Sequence, residues 1–189
     1  MTVLGVVLAG GSGRRMGGNK ALVEFHGLPL LHYPVSTMRE VLEEVVVVCK
    51  QDTPLPDLGE SVGVWCEPEA AQHPLIGIAA ALRQAAPRSI LVCAGDMPLV
   101  EPDALRALLN APPAPVVVGR AAGRLQPLLG RYAPEALAAL DARAPHEPAT
   151  AVIERMDPLV VDLPDSAAFN INAPEDLLLA EREGIGRDA

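Results

Sequence analysis

Val3-Leu4-Gly5-Val6-Val7 runs straight into Leu8-Ala9-Gly10-Gly11-Ser12-Gly13-Arg14-Arg15-Met16-Gly17-Gly18-Asn19-Lys20. The first part is short, apolar and β-branched, which predicts a buried strand. The glycine-rich part cannot be strand. Glycines at 10, 11, 13, 17 and 18 let backbone amides approach a ligand with no Cβ in the way, and Arg14, Arg15 and Lys20 add positive charge beside them. A flexible surface loop is the plain alternative. The glycines, the three cations and the preceding strand together favour a polyphosphate cradle.

Spacing excludes two familiar cradles. A Walker loop requires G-x-x-x-x-G-K-[ST]; Gly13 and Gly18 are correctly spaced, but Asn19 comes next, Lys20 is one place late and Ala21 comes after it. A dinucleotide fingerprint requires G-x-G-x-x-G, and Gly11-Ser12-Gly13-Arg14-Arg15 ends on Met16.

Outward from this stretch, strands and helices alternate. Ala21 to Leu30 reads as a hairpin-like excursion turning at Gly27, and Pro29 to Arg39 as a helix with Leu30, Leu31, Val35 and Met38 on one face. Strands are predicted at Val45 to Cys49, Val62 to Cys66, Ser89 to Ala94, Pro115 to Val118, Leu159 to Asp162, and Arg124 to Tyr132 with an interruption at Pro127. Helices are predicted at Ile76 to Ala85, Pro102 to Asn110, Ala133 to Arg143, Ala149 to Arg155 and Pro174 to Glu183. Such alternation calls for an α/β, three-layer, Rossmann-like sandwich: a mainly parallel sheet with helices on both faces. Residues 1–183 read as one domain and 184–189 as a C-terminal tail. Ligands of such sheets gather at the carboxyl ends of the strands, where both the glycine stretch and Asp96 are expected.

The overall charge narrows the function. With 189 residues and a net charge of −9, the chain lacks the broad positive surface of a nucleic-acid binder, yet its cations concentrate in the glycine stretch. One basic pocket on an acidic protein suits a small anionic ligand. No apolar run is long enough to cross a bilayer and no secretion signal is apparent. Three cysteines without a C-x-x-C argue against a disulfide framework or zinc site and favour a cytoplasmic setting. Cys49, Cys66 and Cys93 are expected in core packing, and His26, His32, His73 and His146 at surface or loop positions.

Two further motifs carry chemistry. Cys93-Ala94-Gly95-Asp96-Met97-Pro98 places one carboxylate at the tip of an apolar strand, with Gly95 permitting an unusual backbone angle. Magnesium is commonly held by one or two carboxylates together with substrate phosphates, and Asp96 suits that task; a turn or cap aspartate is the structural alternative. In Phe169-Asn170-Ile171-Asn172-Ala173-Pro174-Glu175-Asp176-Leu177, the apolar pair faces one way and the two asparagines the other. Asn172 with Glu175 also resembles a capping box. Pro74-Leu75-Ile76-Gly77 opens a helix, and Gly77 allows a close approach. Leu125-Gln126-Pro127-Leu128 reads as a strand kink.

Leu8-Ala9-Gly10-Gly11 with the double arginine, Asp96, and the Asn170/Asn172 segment together resemble the nucleotidyltransferase superfamily, and within it the molybdenum cofactor guanylyltransferases, over almost the whole chain. Ala173 stands where those enzymes carry threonine, Val48-Cys49-Lys50 lacks their asparagine, and Glu67 takes the place of their aspartate. The resemblance implies transfer of GMP from GTP to the terminal phosphate of molybdopterin cofactor. It assigns Arg15, Lys20 and Asp96 to catalysis, with Mg2+ on Asp96. The nucleotide would contact Leu8, Ala9, Gly10, Gly11, Ser12, Gly13, Lys20, Glu67, Gly77 and Asp96, and the acceptor Gln126, Asn170 and Asn172. Carrier or cofactor-insertion proteins are implied partners, and neither nucleic acid nor membrane is. A cytidylyl- or sugar-phosphate nucleotidyltransferase, or a non-catalytic nucleotide-binding module, is the rival reading.

Overall fold

The computed structural model describes residues 2–10, 20–68 and 73–183. The expectations for Gly11, Ser12, Gly13, Arg14 and Arg15, and for the tail from 184, lie outside the described residues.

Nine strands are described: β1 (Leu4–Leu8), β2 (Glu24–Phe25), β3 (Leu28–Pro29), β4 (Val45–Cys49), β5 (Val62–Cys66), β6 (Ile90–Ala94), β7 (Val116–Ala121), β8 (Arg124–Tyr132) and β9 (Leu159–Asp162). The α-helices are α1 (His32–Arg39), α2 (Pro74–Ala85), α3 (Pro102–Asn110), α4 (Leu137–Asp141), α5 (Ala149–Arg155) and α6 (Pro174–Glu183). Seven strands form one sheet in the order β5-β4-β1-β6-β8-β7-β9, in which β8 alone runs antiparallel to its neighbours. The mainly parallel α/β sandwich expected from the sequence is therefore the observed fold. None of the described helices is long and apolar enough to cross a membrane.

The central strands read as continuous apolar runs because both faces of the sheet are covered. On one face Leu4, Val6, Val46, Val48, Ile90 and Val92 pack against Ile78 and Leu82 of α2, Leu140 of α4 and Ile153 of α5. Val7, Val45, Val47 and Leu91 on the other meet Val35 and Met38 of α1 and Leu105 and Leu108 of α3. A smaller cluster of Phe25, Leu30, Leu99, Ile171 and Ala180 joins the β2–β3 hairpin to α6. This cluster fixes the chain on either side of Ile171, whose amide donates to the Asp96 carbonyl at 3.0 Å.

Several boundaries differ from those expected, each for a local reason. The first helix begins at His32, because Pro29 pairs with Glu24 in the hairpin. The segment from Ala133 divides into a 3-10 turn at Pro134–Ala136 and the short α4, which ends at Asp141. β7 extends to Ala121 because its far end pairs with β8 beyond a bulge. The register jumps from Val118↔Gly130 to Gly119↔Gln126, so Pro127 and Leu128 leave the ladder at the carboxyl edge of the sheet. Proline in a strand is tolerated at such a bulge because no ladder amide is required there.

Cys49 and Cys93 are buried as expected, whereas Cys66 is exposed because β5 is the last strand of the sheet. His73 is also no surface residue. It is buried and caps α2, its Nδ1 accepting from the Leu75 amide at 3.2 Å while Nε2 bonds the Glu147 carbonyl at 2.8 Å.

Candidate active site

β1 and β6 are parallel neighbours with Leu8 beside Ala94, so Ala9-Gly10 and Gly95-Asp96 leave the sheet together. The Gly95 amide donates to the Leu8 carbonyl at 2.9 Å, and that of Ala9 to Val48 at 2.9 Å. The expectation of an unusual backbone angle at Gly95 is not met; its φ is not positive. Glycine is required by proximity instead. A Cβ there would lie 2.9 Å from Leu31 Cδ1 and 3.1 Å from the Leu8 carbonyl oxygen. The close approach brings the two strand ends together as one floor.

Three sequence motifs converge above this floor. The Lys20 ammonium, in a short 3-10 turn, forms an ion pair with Asp96 Oδ2. It also donates to Asn172 Oδ1 at 2.7 Å. The other carboxylate oxygen, Asp96 Oδ1, is buried and has no hydrogen-bond partner among the described residues. Leaving such an acceptor unpaired costs about 1–3 kcal/mol, which makes it a candidate contact for a ligand.

Asn172 therefore does not form the expected capping box with Glu175. Asp176 supplies the acceptor instead, receiving the amides of Asn172 at 2.7 Å and Ala173 at 2.8 Å. This exchange leaves the Asn172 side chain available to face Lys20. Asn170 donates through Nδ2 to the Ala168 carbonyl at 2.7 Å, and its side of the chain lines the cleft.

Leu8, Ala9, Gly10, Lys20, Gly95, Asp96 and Asn170 border a cleft of about 630 Å³. Thr53 and Pro54, from the loop after β4, also line it, and no local motif in the sequence marks them. Their signal was available only through strand order, since β4 adjoins β1 in space. A second, wider cleft of about 1350 Å³ contains Gln126, with Arg124, Thr150 and Phe169. Leu128 and Asn170 border both. The bulge in β8 thus supplies the partition between two adjoining spaces. Gln126 is turned partly toward the β7–β8 turn, its Nε2 donating to the Ala121 carbonyl at the end of β7 at 3.3 Å and to that of Arg124 at 3.4 Å.

Glu67 and Gly77 are brought together beside Gly10. A Cβ on Gly77 would lie 3.0 Å from Glu67 Oε2 and 3.1 Å from Leu8 Cδ2, and one on Gly10 would lie 3.3 Å from Glu67 Oε1. The carboxylate fits a notch that two glycines leave open. Burial pushes its pKa above the ordinary carboxylate range, opposed by the positive charge of Lys50.

A raised pKa in the folded state means that Glu67 favours folding when protonated, and that this contribution is lost as pH rises through the folded pKa. At neutral pH the charged, half-buried group is a liability. Glu67→Gln is therefore expected to raise the melting temperature near pH 7 and to leave it almost unchanged near pH 4, as read by scanning calorimetry. A lowered melting temperature near pH 7 contradicts this account of the notch.

The chain is similar to known proteins over nearly its whole length. Residues 5–159 match the model of the MobA-like NTP transferase domain. The chain is 34% identical over 194 residues to a molybdenum cofactor guanylyltransferase of Cereibacter sphaeroides, an alignment covering 96% of each chain. It is 30% identical to the molybdenum cofactor guanylyltransferase of Ectopseudomonas mendocina (strain ymp), over 97% of this chain and 94% of that one. The crystal structure of molybdopterin-guanine dinucleotide biosynthesis protein A from Archaeoglobus fulgidus is similar with a TM-score of 0.75 and 27% identity, covering 97% of this chain and 99% of that one.

Proposed function

The chain belongs to the MobA-like NTP transferase family and is a nucleotidyltransferase, and from that premise we propose that it transfers GMP from GTP to the terminal phosphate of molybdopterin cofactor. The observation that carries this reading is the convergence of Lys20, Asp96 and Asn172 at the mouth of a cleft floored by Ala9, Gly10 and Gly95.

An oxygen of the acceptor's ionised phosphate forms the new bond to the α-phosphorus of GTP. The bond from that phosphorus to the bridging oxygen breaks in line, and the electron pair leaves with pyrophosphate. The nucleophile is already ionised, so no general base is needed and positioning with charge neutralisation supplies most of the rate. Gly10 begins the run of backbone amides that receives the β- and γ-phosphates. Lys20 offsets the charge that grows on the departing pyrophosphate, and Arg15 is assigned the same task. Glu67, in its notch beside Gly10 and Gly77, is assigned to the nucleotide. Gln126 and Asn170, in and beside the second cleft, are assigned to the acceptor.

Asp96 Oδ1, without a partner among the described residues, fits a hard divalent cation such as Mg2+, which takes carboxylate oxygen and completes its shell with phosphates and water. Bound there, it would supply further neutralisation of the reacting phosphates.

A thermal-shift panel tests base selection. A ligand that binds only the folded state stabilises it by RT ln(1 + [L]/Kd). With magnesium present, GTP is expected to raise the melting temperature more than ATP, CTP or UTP at equal concentration, and magnesium-dependent pyrophosphate release is expected once acceptor is added. A larger shift with CTP or UTP would transfer the reading to a cytidylyl- or sugar-phosphate nucleotidyltransferase. Binding without pyrophosphate release would favour a non-catalytic module.

A further inference from the structure

We propose that Lys20 is a built-in competitor for the cation at Asp96: its ammonium holds the carboxylate closed to metal until a triphosphate draws it away. The inference rests on the proposed function, in which Asp96 is the metal-binding residue.

The contacts describe a holding position. Two acceptors, Asp96 Oδ2 and Asn172 Oδ1, take the Lys20 ammonium, which has three protons to donate. A lysine that waited only for phosphate would have no need of either. The pair is also no ordinary structural bridge, since one oxygen of the same carboxylate stays buried and has no partner among the described residues. Lys20 thus neutralises Asp96 without satisfying it.

Charge sets the consequence. Among the described residues no group of three or more His, Cys, Asp and Glu side chains is placed to hold a metal. A cation arriving alone would meet a single carboxylate whose charge is already balanced by a tethered ammonium. Tethering gives that ammonium a high effective concentration at the site, against which a free ion must compete. A triphosphate changes both sides of the competition. It brings additional oxygen ligands for the cation and offers Lys20 a more negative partner than Asp96. Metal and nucleotide then bind with positive coupling, and each raises the affinity for the other by the same factor.

Mn2+ is the probe, and the fraction left free is read from its electron paramagnetic resonance signal, a readout independent of turnover. Without nucleotide, Lys20→Met is expected to bind Mn2+ about tenfold more tightly than the unaltered protein, the factor required if the ion pair is closed roughly nine-tenths of the time. Asp96→Asn, alone or with Lys20→Met, should abolish this binding. Should Lys20→Met fail to fold, Asn172→Ala removes one of the two anchors and is expected to tighten Mn2+ binding by about twofold by the same arithmetic. Binding by these variants no tighter than that of the unaltered protein overturns the inference. If the unaltered protein then still takes up Mn2+ together with GTP, the proposed activity survives that result. If it binds neither, even together, both readings fall.

Discussion

Asp96→Asn is expected to lower kcat by at least about a hundredfold, the scale on which loss of one electrostatic stabiliser is felt. The substitution preserves size and removes charge, so the sheet edge and the Ile171 to Asp96 backbone bond have no reason to move. The loss is confined to the anionic oxygen pair: one member holds Lys20 and the other is buried without a partner among the described residues. The amide that replaces it keeps one acceptor oxygen but carries no charge to neutralise either an ammonium or a divalent cation. Pyrophosphate release at saturating GTP and acceptor measures the effect, which should fall on kcat with a smaller change in KM. A kcat within tenfold of the unaltered enzyme would remove Asp96 from the chemistry.

Lys20→Ala is expected to cost kcat at least about a hundredfold as well, since the proposed function gives its ammonium the task of offsetting charge that develops as pyrophosphate departs. The two losses should not add. In the proposed reaction both residues act on one triphosphate, so removing both is expected to leave activity little below that of the weaker single variant, as for residues that act as a unit. Full additivity, with each factor multiplying the other, would show that the two act independently. Stability needs a separate control: Lys20→Ala leaves a carboxylate without its counter-ion, and chemical denaturation distinguishes a destabilised enzyme from an inactive one.

Much of this arrangement is legible in the sequence because the chain states it locally. Val45 to Cys49 and Ile90 to Ala94 are uninterrupted apolar runs, as strands covered on both faces must be. Lys20, Asp96 and Asn172 each belong to a recognisable motif, and a parallel sheet delivers the first two to the same edge by its own logic. Features that depend on strand order are not stated locally. Cys66 resembles Cys49 in sequence, yet one is exposed and the other buried because β5 has a neighbour on one side alone. Thr53 and Pro54 become part of the cleft only because β4 lies next to β1.

Competition between near-equivalent residues is equally hidden. Glu175 and Asp176 both lie within reach of the start of α6, and the spacing of a capping box favours the first. The fold uses the second, which receives both the Asn172 and Ala173 amides. That choice decides the fate of Asn172, whose side chain then turns to Lys20. Pro127 could be read as an interruption, but its use as a divider between two clefts requires knowing that β8 is held antiparallel between β6 and β7.

The seven-stranded sheet is complete once β9 ends at Asp162, whereas the corner around Asp96 still lacks Ile171 and Asn172. In chain order, then, the frame that positions Asp96 is written in full before the second anchor for Lys20. The stretch beyond Asp162 supplies Leu163, Ala167 and Ile171 to the core together with Asn172, so one short run of chain finishes the packing and the grip at once.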